Sequence, residues 1–252
     1  MPTTLKIGTA GWSIPSAVAD RFPEGASHLA RYAQRLAAVE INSSFHRPHQ
    51  IKTYARWADT APETFRFAVK LPKTITHERR LVGAEDLQDR FLAEIAPLGR
   101  KLGPILVQLP PSLAYDPIVV AGFLGSLRER FDGQLACEPR HASWFSDEAD
   151  LLLASLQVAR VAADPALSPR AAAPGGWTGL SYRRLHGSPK TYYSDYTAER
   201  LHGLAADLSM PSAATESWCI FDNTTLGYAA ANALALQELM RAPGDPSGLN
   251  LK

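Results

Sequence analysis

Eight apolar runs occur along the chain, and each has the length of a β-strand. They are continuous rather than alternating, which is typical of strands covered on both faces, as in parallel sheets. Helix-length segments separate most of them, with apolar positions every three to four residues in the clearest cases. The pattern predicts an α/β fold with strands at residues 5–9, 39–45, 65–71, 104–109, 134–138, 157–163, 180–186 and 218–222.

The sixth repeat lacks a clear helix. Residues 165–178 contain three prolines and two glycines, which predicts a loop or a short turn. Eight strands in 252 residues predict a single TIM-type (β/α)₈ barrel over residues 1–242, with the helix after strand 6 short or missing. An open, doubly wound sheet is the alternative. Residues 243–252 are predicted to form a flexible tail.

Six of the apolar runs carry a lone charged or polar residue near their carboxyl end. A buried charge is unfavourable unless it is paired, hydrogen-bonded or used in a reaction. Because side chains alternate across a strand with period two, these residues can all point into the barrel. The carboxyl ends of barrel strands form the active-site face, so we expect a polar cluster there. Its predicted members are Glu40, Lys70, Gln108, Glu138, Asp164 and Asp222, joined by Arg140, Arg184 and His186.

The same cluster also has a structural interpretation. Glu40 with Lys70, and Glu138 with Arg184, could neutralise each other inside the barrel without any catalytic role. The sequence leaves both interpretations open.

Loops at the same end add aromatic and cationic side chains. Residues 73–80 form a basic stretch, and residues 185–196 after strand 7 combine a glycine, a lysine and three tyrosines. Cations beside aromatic rings suit a phosphorylated, sugar-like or single-stranded nucleic-acid ligand. Further residues predicted to wall the pocket or contact the substrate are Trp12, Asn42, Phe45, Trp144, Tyr192 and Asn223.

A divalent metal ion is compatible with part of the cluster. Carboxylate and imidazole groups end four successive strands and suit Mg²⁺, Mn²⁺ or Zn²⁺. The charges of Arg140 and Arg184 oppose a cation there. No nucleotide cofactor is expected, because residues 8–12 after strand 1 do not form GxGxxG. The candidate metal ligands are Glu138, Asp164, His186 and Asp222.

Composition narrows the class of protein. The net charge of +1, from 26 basic and 25 acidic residues, argues against a uniformly basic surface. The two cysteines, Cys137 and Cys219, lie in different apolar runs and suit a reducing compartment. We find no signal peptide and no run of about 18 apolar residues that would cross a bilayer. A cytoplasmic protein without membrane contact is therefore expected, and its oligomeric state is left open.

Several motifs resemble those of the YecE-like family, also called domain of unknown function 72. They occur in the same order over nearly the whole chain: IGTAGW at 7–12, VEINSSF at 39–45, FAVKLP at 67–72, QLPP at 108–111, EPRHASW at 138–144, RLHG at 184–187 and FDNT at 221–224. The resemblance implies a (β/α)₈ barrel and no established activity. The family more often has a bulky residue where Pro139 stands and often has Asn in place of Asp222, which makes Asp222 a weaker catalytic candidate than Glu40 or Glu138.

The leading functional hypothesis is an enzyme acting on an anionic, phosphate-bearing substrate, as a hydrolase (phosphoesterase) or an isomerase. Glu40 or Glu138 would be the general acid or base, and His186 would transfer a proton. Two alternatives remain: a non-catalytic protein that binds nucleic acid or a phosphorylated metabolite, and a metal-assisted sugar isomerase or hydrolase. The residues expected to hold the anion are Lys70, Arg140 and Arg184.

Overall fold

Parallel strands form the inner ring of the fold, and helices cover its outside. A computed structural model of the chain describes residues 4–241. Every predicted apolar run contains a strand. The strands are β1 (Thr4–Ala10), β2 (Ala38–Ile41), β3 (Arg66–Lys70), β4 (Leu102–Gln108), β5 (Leu135–Glu138), β6 (Val158–Arg160), β7 (Ala162–Asp164), β8 (Gly175–Gly176), β9 (Leu180–Leu185) and β10 (Glu216–Phe221).

The hydrogen-bonded neighbours run in the order β7, β9, β10, β1, β2, β3, β4, β5, β6, β8. β6 pairs in parallel with β5, whereas β7 pairs in parallel with β9. The two are consecutive along the chain, so residues 158–164 complete the ring by bonding one neighbour with their first half and the other with their second. The predicted TIM-type (β/α)₈ barrel is therefore confirmed, with its sixth strand divided at Val161.

Eight α-helices lie among residues 4–241, several of them at positions that capping residues mark in the sequence. Asp116 accepts hydrogen bonds from the first turn of the fifth helix, and Ser146 does the same for the sixth. The predicted second strand ends early at Ile41, because the chain then turns into a short helix. The helices are α1 (His28–Tyr32), α2 (Ser43–His46), α3 (Ile51–Thr60), α4 (Glu85–Ile95), α5 (Pro117–Arg130), α6 (Asp147–Ser155), α7 (Ala198–Ser209) and α8 (Tyr228–Leu239).

An ionic network takes the place of the helix after the sixth strand, where only the 3₁₀ turn Arg170–Ala172 forms. Asp150 of α6 accepts from Nε of Arg160 at 2.7 Å and from Nη2 of Arg170 at 2.7 Å. It also accepts from the backbone N–H of Gly176 at 3.1 Å. One carboxylate thus fixes the strand, the proline-rich loop and β8, and the missing helix is as predicted.

Large and small side chains alternate inside the ring. Tyr182 and Trp218 stack with centroids 5.9 Å apart and fill the part below the site. Ala68 and Ala136 lie two residues before Lys70 and Glu138 and point into the same interior. These small residues leave room at the barrel centre for long polar side chains.

Among residues 4–241, no helix combines the length and the apolar character that crossing a bilayer requires. The tail predicted at residues 243–252 lies outside the part of the chain that the structure describes.

A substitution at Gly8 of β1 tests how closely β1 and β2 approach each other. A Cβ at Gly8 would lie 2.1 Å from the carbonyl oxygen of Ala38. We expect Gly8→Ala to lower the free energy of unfolding by about 3 kcal/mol, because backbone and not a flexible side chain must move. Gly122→Ala on exposed α5 meets nothing within 4 Å and should raise it by about 0.5–1 kcal/mol. Urea unfolding measures the free energy of unfolding of both variants. A Gly8→Ala variant as stable as the wild type would contradict the close spacing of β1 and β2.

Candidate active site

The guanidinium of Arg184 lies at the centre of the barrel, among three carboxylates. Its Nε and Nη2 donate to the two oxygens of Glu40 at 3.0 and 2.6 Å. Its Nη1 donates to Oε2 of Glu138 at 2.5 Å, and Nη2 also reaches Oδ2 of Asp222 at 2.8 Å. We call Glu40, Glu138 and Asp222 the carboxylate cluster. Period-two alternation on β2, β5, β9 and the end of β10 brings these four residues together, as predicted.

Glu40 has a further hydrogen-bond partner inside the barrel. It is fully buried, and its Oε2 accepts a further hydrogen bond from the hydroxyl of Tyr182 at 2.8 Å. Burial and the adjacent Glu40 raise the pKa of Tyr182 well above its ordinary value, so this hydroxyl stays a donor. Both oxygens of Glu40 are thus engaged by protein groups, and the geometry favours a role in holding Arg184 over direct contact with a substrate.

His186 connects the other two carboxylates. Its Nδ1 lies 3.0 Å from Oδ2 of Asp222, and its Nε2 lies 2.8 Å from Oε1 of Glu138. Nη2 of Arg140 approaches the same Nε2 at 2.7 Å and Oε1 of Glu138 at 2.6 Å. A proton on either ring nitrogen therefore finds a carboxylate acceptor, and Arg140 favours the lone pair at Nε2. This arrangement can carry a proton between the two sides of the ring.

The cations keep the outer two carboxylates ionised. Burial alone raises the pKa of Glu138, but Arg184, Arg140 and His186 outweigh it and hold the pKa well below its ordinary value. The pKa of Asp222 is also lowered, because Arg184 and the hydrogen bond from His186 outweigh its burial. Neither group is a proton donor at neutral pH, and a carboxylate held ionised in this way is a weak base.

Lys70 ends β3 beside the carboxylate cluster but does not pair with it. Its side chain is 8% exposed, and within residues 4–241 its Nζ has no hydrogen bond or ion pair. The ammonium instead lies 4.1 Å from the centroid of the Phe45 ring. Burial and then Arg184 lower the pKa of Lys70, the carboxylate cluster opposes both, and the resulting pKa is about 8. The predicted neutralisation of Glu40 by Lys70 is wrong, because Arg184 takes that carboxylate.

Aromatic side chains border this end of the barrel on two sides. Phe45 covers Lys70, and its ring also meets His77 edge-on at 4.9 Å. Tyr192 covers His186 edge-on at 5.7 Å, with a left-handed backbone (φ 71°) and a half-exposed ring. Both side chains lie where the sequence predicts pocket walls.

A cleft opens next to the cluster on the β1–β2 side. It has a volume of about 260 Å³ and is lined in part by Trp12, Asn42 and Ser43. Asn42 joins the cleft to the site, since its Nδ2 donates to Oδ1 of Asp222 at 3.3 Å. Its own Oδ1 is buried without a hydrogen-bond partner among the described residues.

Two predicted site residues lie elsewhere. Trp144 is buried in the core outside the ring, where its Nε1 donates to the carbonyl of Leu113 at 2.9 Å, so it does not wall the pocket. Asp164 points away from the cluster and faces Arg200 of α7 at 3.5 Å. The reason is the period-two alternation itself: Ala159 and Val161 face the interior, so Asp164 turns outward.

Other predicted residues support the site from a distance. Gln108 is half-buried and donates to the carbonyl of Leu109. Asn223 is buried and donates to the carbonyl of Ser194 and to Oδ1 of Asn232, which anchors the loop after β9. Sequence reasoning missed Asn232, although a lone polar residue on the apolar face of α8 is a signal.

The metal hypothesis loses one of its four ligands with Asp164. In the part of the chain from residue 4 to residue 241, no group of three or more His, Cys, Asp or Glu side chains is arranged to hold a metal ion. Arg184 and Arg140 already contact the carboxylate oxygens that a cation would need.

The basic stretch at residues 73–80 has local partners. Lys73 pairs with Glu78 at 3.2 Å, and Arg79 donates to the carbonyl of Gly83 at 3.1 Å. Arg80 donates to the side chain and the carbonyl of Ser112. These contacts use part of the donor capacity that a nucleic-acid backbone would require.

The fold and the site define a TIM-type barrel protein with an ionic cluster at the carboxyl ends of its strands. The chain belongs to the family described as "Protein of unknown function DUF72", which matches residues 6–249. The predicted YecE-like membership is thereby confirmed.

Curated relatives match over part of their length. UPF0759 protein YecE of Escherichia coli K12 is 30% identical over 143 residues, covering 56% of this chain and 50% of YecE. UPF0759 protein YunF of Bacillus subtilis 168 is 28% identical over 148 residues, covering 56% and 52%. The matched part spans about half the length of these relatives.

Solved structures agree with the fold. A DUF72 family protein of Enterococcus faecalis V583 superposes with a TM-score of 0.78 at 24% identity, covering 96% of this chain and 97% of that one. A DUF72 family protein of Thermotoga maritima MSB8 gives 0.76 at 25% identity, covering 94% and 99%. A xylose isomerase-like TIM barrel/4-hydroxyphenylpyruvate dioxygenase fusion protein gives 0.53 at 13% identity, covering 95% and 44%.

Removing Arg184 tests whether one cation holds the cluster. Arg184→Met leaves Glu40 and Glu138 buried without their main partner, so we expect a loss of about 3–5 kcal/mol in the free energy of unfolding. Arg183→Met is the matched control, since that side chain bonds Ser181 on the other face of β9 and should cost less than about 1 kcal/mol. Urea unfolding at pH 7 measures both. Equal stabilities would show that Arg184 is not the group that holds the carboxylates.

The lowered pKa of Lys70 predicts that the stability difference between the wild type and Lys70→Met depends on pH. The native chain releases the Lys70 proton near pH 8, whereas the unfolded chain keeps it to about pH 10.5. Between these values the unfolded state binds more protons, so stability rises with pH. Relative to Lys70→Met, which lacks this proton, the wild type should gain about 3 kcal/mol between pH 7 and pH 10.5. Denaturant unfolding at both pH values checks this, and parallel profiles for the two proteins would refute it.

Proposed function

We propose that the protein is an enzyme that acts on an anionic, phosphate-bearing small molecule at the carboxyl end of the barrel. One observation carries the proposal: two cations border the carboxylate cluster with N–H groups that no protein acceptor takes. Within residues 4–241, Nε of Arg140 is buried without a hydrogen-bond partner and Nζ of Lys70 has none. A buried donor without an acceptor, as Nε of Arg140 is, is costly, so a ligand that supplies an acceptor there is favoured.

The charge balance of the site favours an anion over a cation. Arg184 alone contacts all three carboxylates, and Arg140 adds a second contact to Glu138. The acceptors of the site are therefore largely satisfied, and its remaining hydrogen-bonding capacity lies in donors. A guanidinium with a free edge binds phosphate or carboxylate oxygens strongly.

The surroundings favour a small molecule over a nucleic-acid strand. Phe45 covers Lys70, Tyr192 covers His186, and the adjacent cleft measures about 260 Å³. The unpaired Oδ1 of Asn42 at that cleft is an acceptor suited to a ligand hydroxyl. A hydroxylated phosphate ester or sugar phosphate supplies both the anion and the hydroxyl donor.

Proton transfer is the chemistry that the cluster supports best. His186 lies between two ionised carboxylates and faces Arg140, so its proton has a defined route across the site. Transfer of a proton next to a bound anion serves hydrolysis of an ester and isomerisation alike. The proposed roles are anion binding for Arg140, contact with the substrate for Lys70, and proton transfer for His186, which lies between Glu138 and Asp222.

Arg140 gives the direct test. Binding of inorganic phosphate and of a panel of sugar phosphates is measured by calorimetry on the full chain, alongside turnover of each compound. We expect Arg140→Met to weaken binding about tenfold to a hundredfold, the loss of one charge-assisted hydrogen bond. Arg200→Met, which removes an exposed cation outside the cluster, should bind normally. If no phosphate compound binds, or if both variants bind like the wild type, the proposal fails.

A further inference from the structure

Two lysines of this chain are equally buried but differently bonded. Lys70 and Lys101 are each 8% exposed. Nζ of Lys101 donates to the carbonyls of Ala58 and Ala61 at 2.7 and 2.8 Å and pairs with Glu63 at 3.0 Å. Nζ of Lys70 has no such oxygen among the described residues, and its one close contact is the face of Phe45. Lys101 is thus a structural lysine, whereas the amine of Lys70 is free to react.

The groups around Lys70 hold its amine partly unprotonated near neutral pH. Burial has the largest effect on its pKa and Arg184 of β9 the next, and together they bring the pKa to about 8. Glu40, Glu138 and Asp222 act in the opposite direction but are already neutralised by Arg184. His77, across the Phe45 ring, is itself made less basic by burial and by Lys70. No neighbouring acceptor therefore fixes the Lys70 proton.

We infer that Lys70 is a nucleophilic amine that forms an imine with an aldehyde or ketone group of the substrate, while Arg140 holds the substrate's anionic group. The inference rests on the proposed anion site and narrows its substrate to a phosphorylated carbonyl compound. It also favours reactions at the carbon beside a carbonyl, such as isomerisation or carbon–carbon cleavage, over ester hydrolysis.

The reaction balances without any oxidant or reductant. The nitrogen lone pair of neutral Lys70 attacks the carbonyl carbon, a C–N bond forms, and the carbonyl oxygen takes a proton to give a carbinolamine. The nitrogen loses a proton, the carbinolamine hydroxyl takes a second proton, the C–O bond breaks with release of water, and the nitrogen lone pair forms the C=N bond of a protonated imine; hydrolysis reverses these steps. His186 between its two carboxylates can supply and accept the protons.

The chemistry also explains a buried lysine without a partner. A lysine that only attracts anions works best fully charged, and carboxylates placed near it would maintain that charge. Here Arg184 occupies the carboxylates instead and repels the ammonium. The Phe45 ring covers one side of the amine and offers it no hydrogen-bond acceptor oxygen.

Reductive trapping tests the inference. The full chain is incubated at pH 7 with glycolaldehyde phosphate and sodium cyanoborohydride, which reduces an imine to a stable secondary amine, and peptides are mapped by mass spectrometry. Lys70 should be modified about tenfold faster than Lys101 or Lys73, because at pH 7 an amine with a pKa near 8 is free base about three hundredfold more often than an ordinary lysine. Inorganic phosphate should slow the labelling of Lys70.

Variants make the assignment specific. Lys70→Met should abolish the fast labelling, whereas Lys73→Met, which removes an exposed lysine three residues away, should keep it. Phosphate binding with no preferential adduct at Lys70 would overturn the imine and leave the anion site standing. An adduct at Lys70 that forms equally fast with unphosphorylated glycolaldehyde and ignores added phosphate would support the reactive amine and contradict the anion site.

Discussion

The ion pairing of Arg184 is the constraint on which the rest of this site depends. Three carboxylates at the centre of a barrel would each be costly to bury, and a single guanidinium contacts all of them. Because its donors are spent on the carboxylate cluster, the remaining cations, Lys70 and Arg140, keep unused N–H groups. The chemistry proposed for the protein follows from this difference between Arg184, which is fully paired, and the two cations that keep unused N–H groups.

The barrel makes room for this arrangement through its small side chains. Ala68 and Ala136 precede Lys70 and Glu138 on the inner face, and the stacked rings of Tyr182 and Trp218 close the space below. The long side chain of Arg184 can therefore extend to the centre and meet partners from three other strands. The small and aromatic side chains packed below the site thus determine where the guanidinium of Arg184 can lie and which carboxylates it contacts.

Sequence alternation predicted much of this site and failed for definite physical reasons. Period two placed Glu40, Lys70, Glu138, Arg184 and Asp222 correctly, because their strands are regular near the carboxyl ends. The prediction for Asp164 failed because Val161 faces the interior, which puts Asp164 on the outer face. The prediction for Trp144 failed because the turn after β5 returns this side chain to the outer core. Pairing was harder still: charge alone does not say that Arg184, and not Lys70, takes Glu40.

The ring changes its hydrogen-bonded partner within the divided sixth strand. β6 is tied to β5 and β7 to β9, so the ladder changes sides at Val161. Glu138 ends β5 and Arg184 lies in β9, so their ion pair connects the two strands that flank the divided sixth strand. A ligand that draws the guanidinium of Arg184 away from Glu138 therefore removes a contact between β5 and β9 and also leaves the carboxylate without its partner. Ligand binding at the site and the contact between β5 and β9 are therefore coupled through the side chain of Arg184.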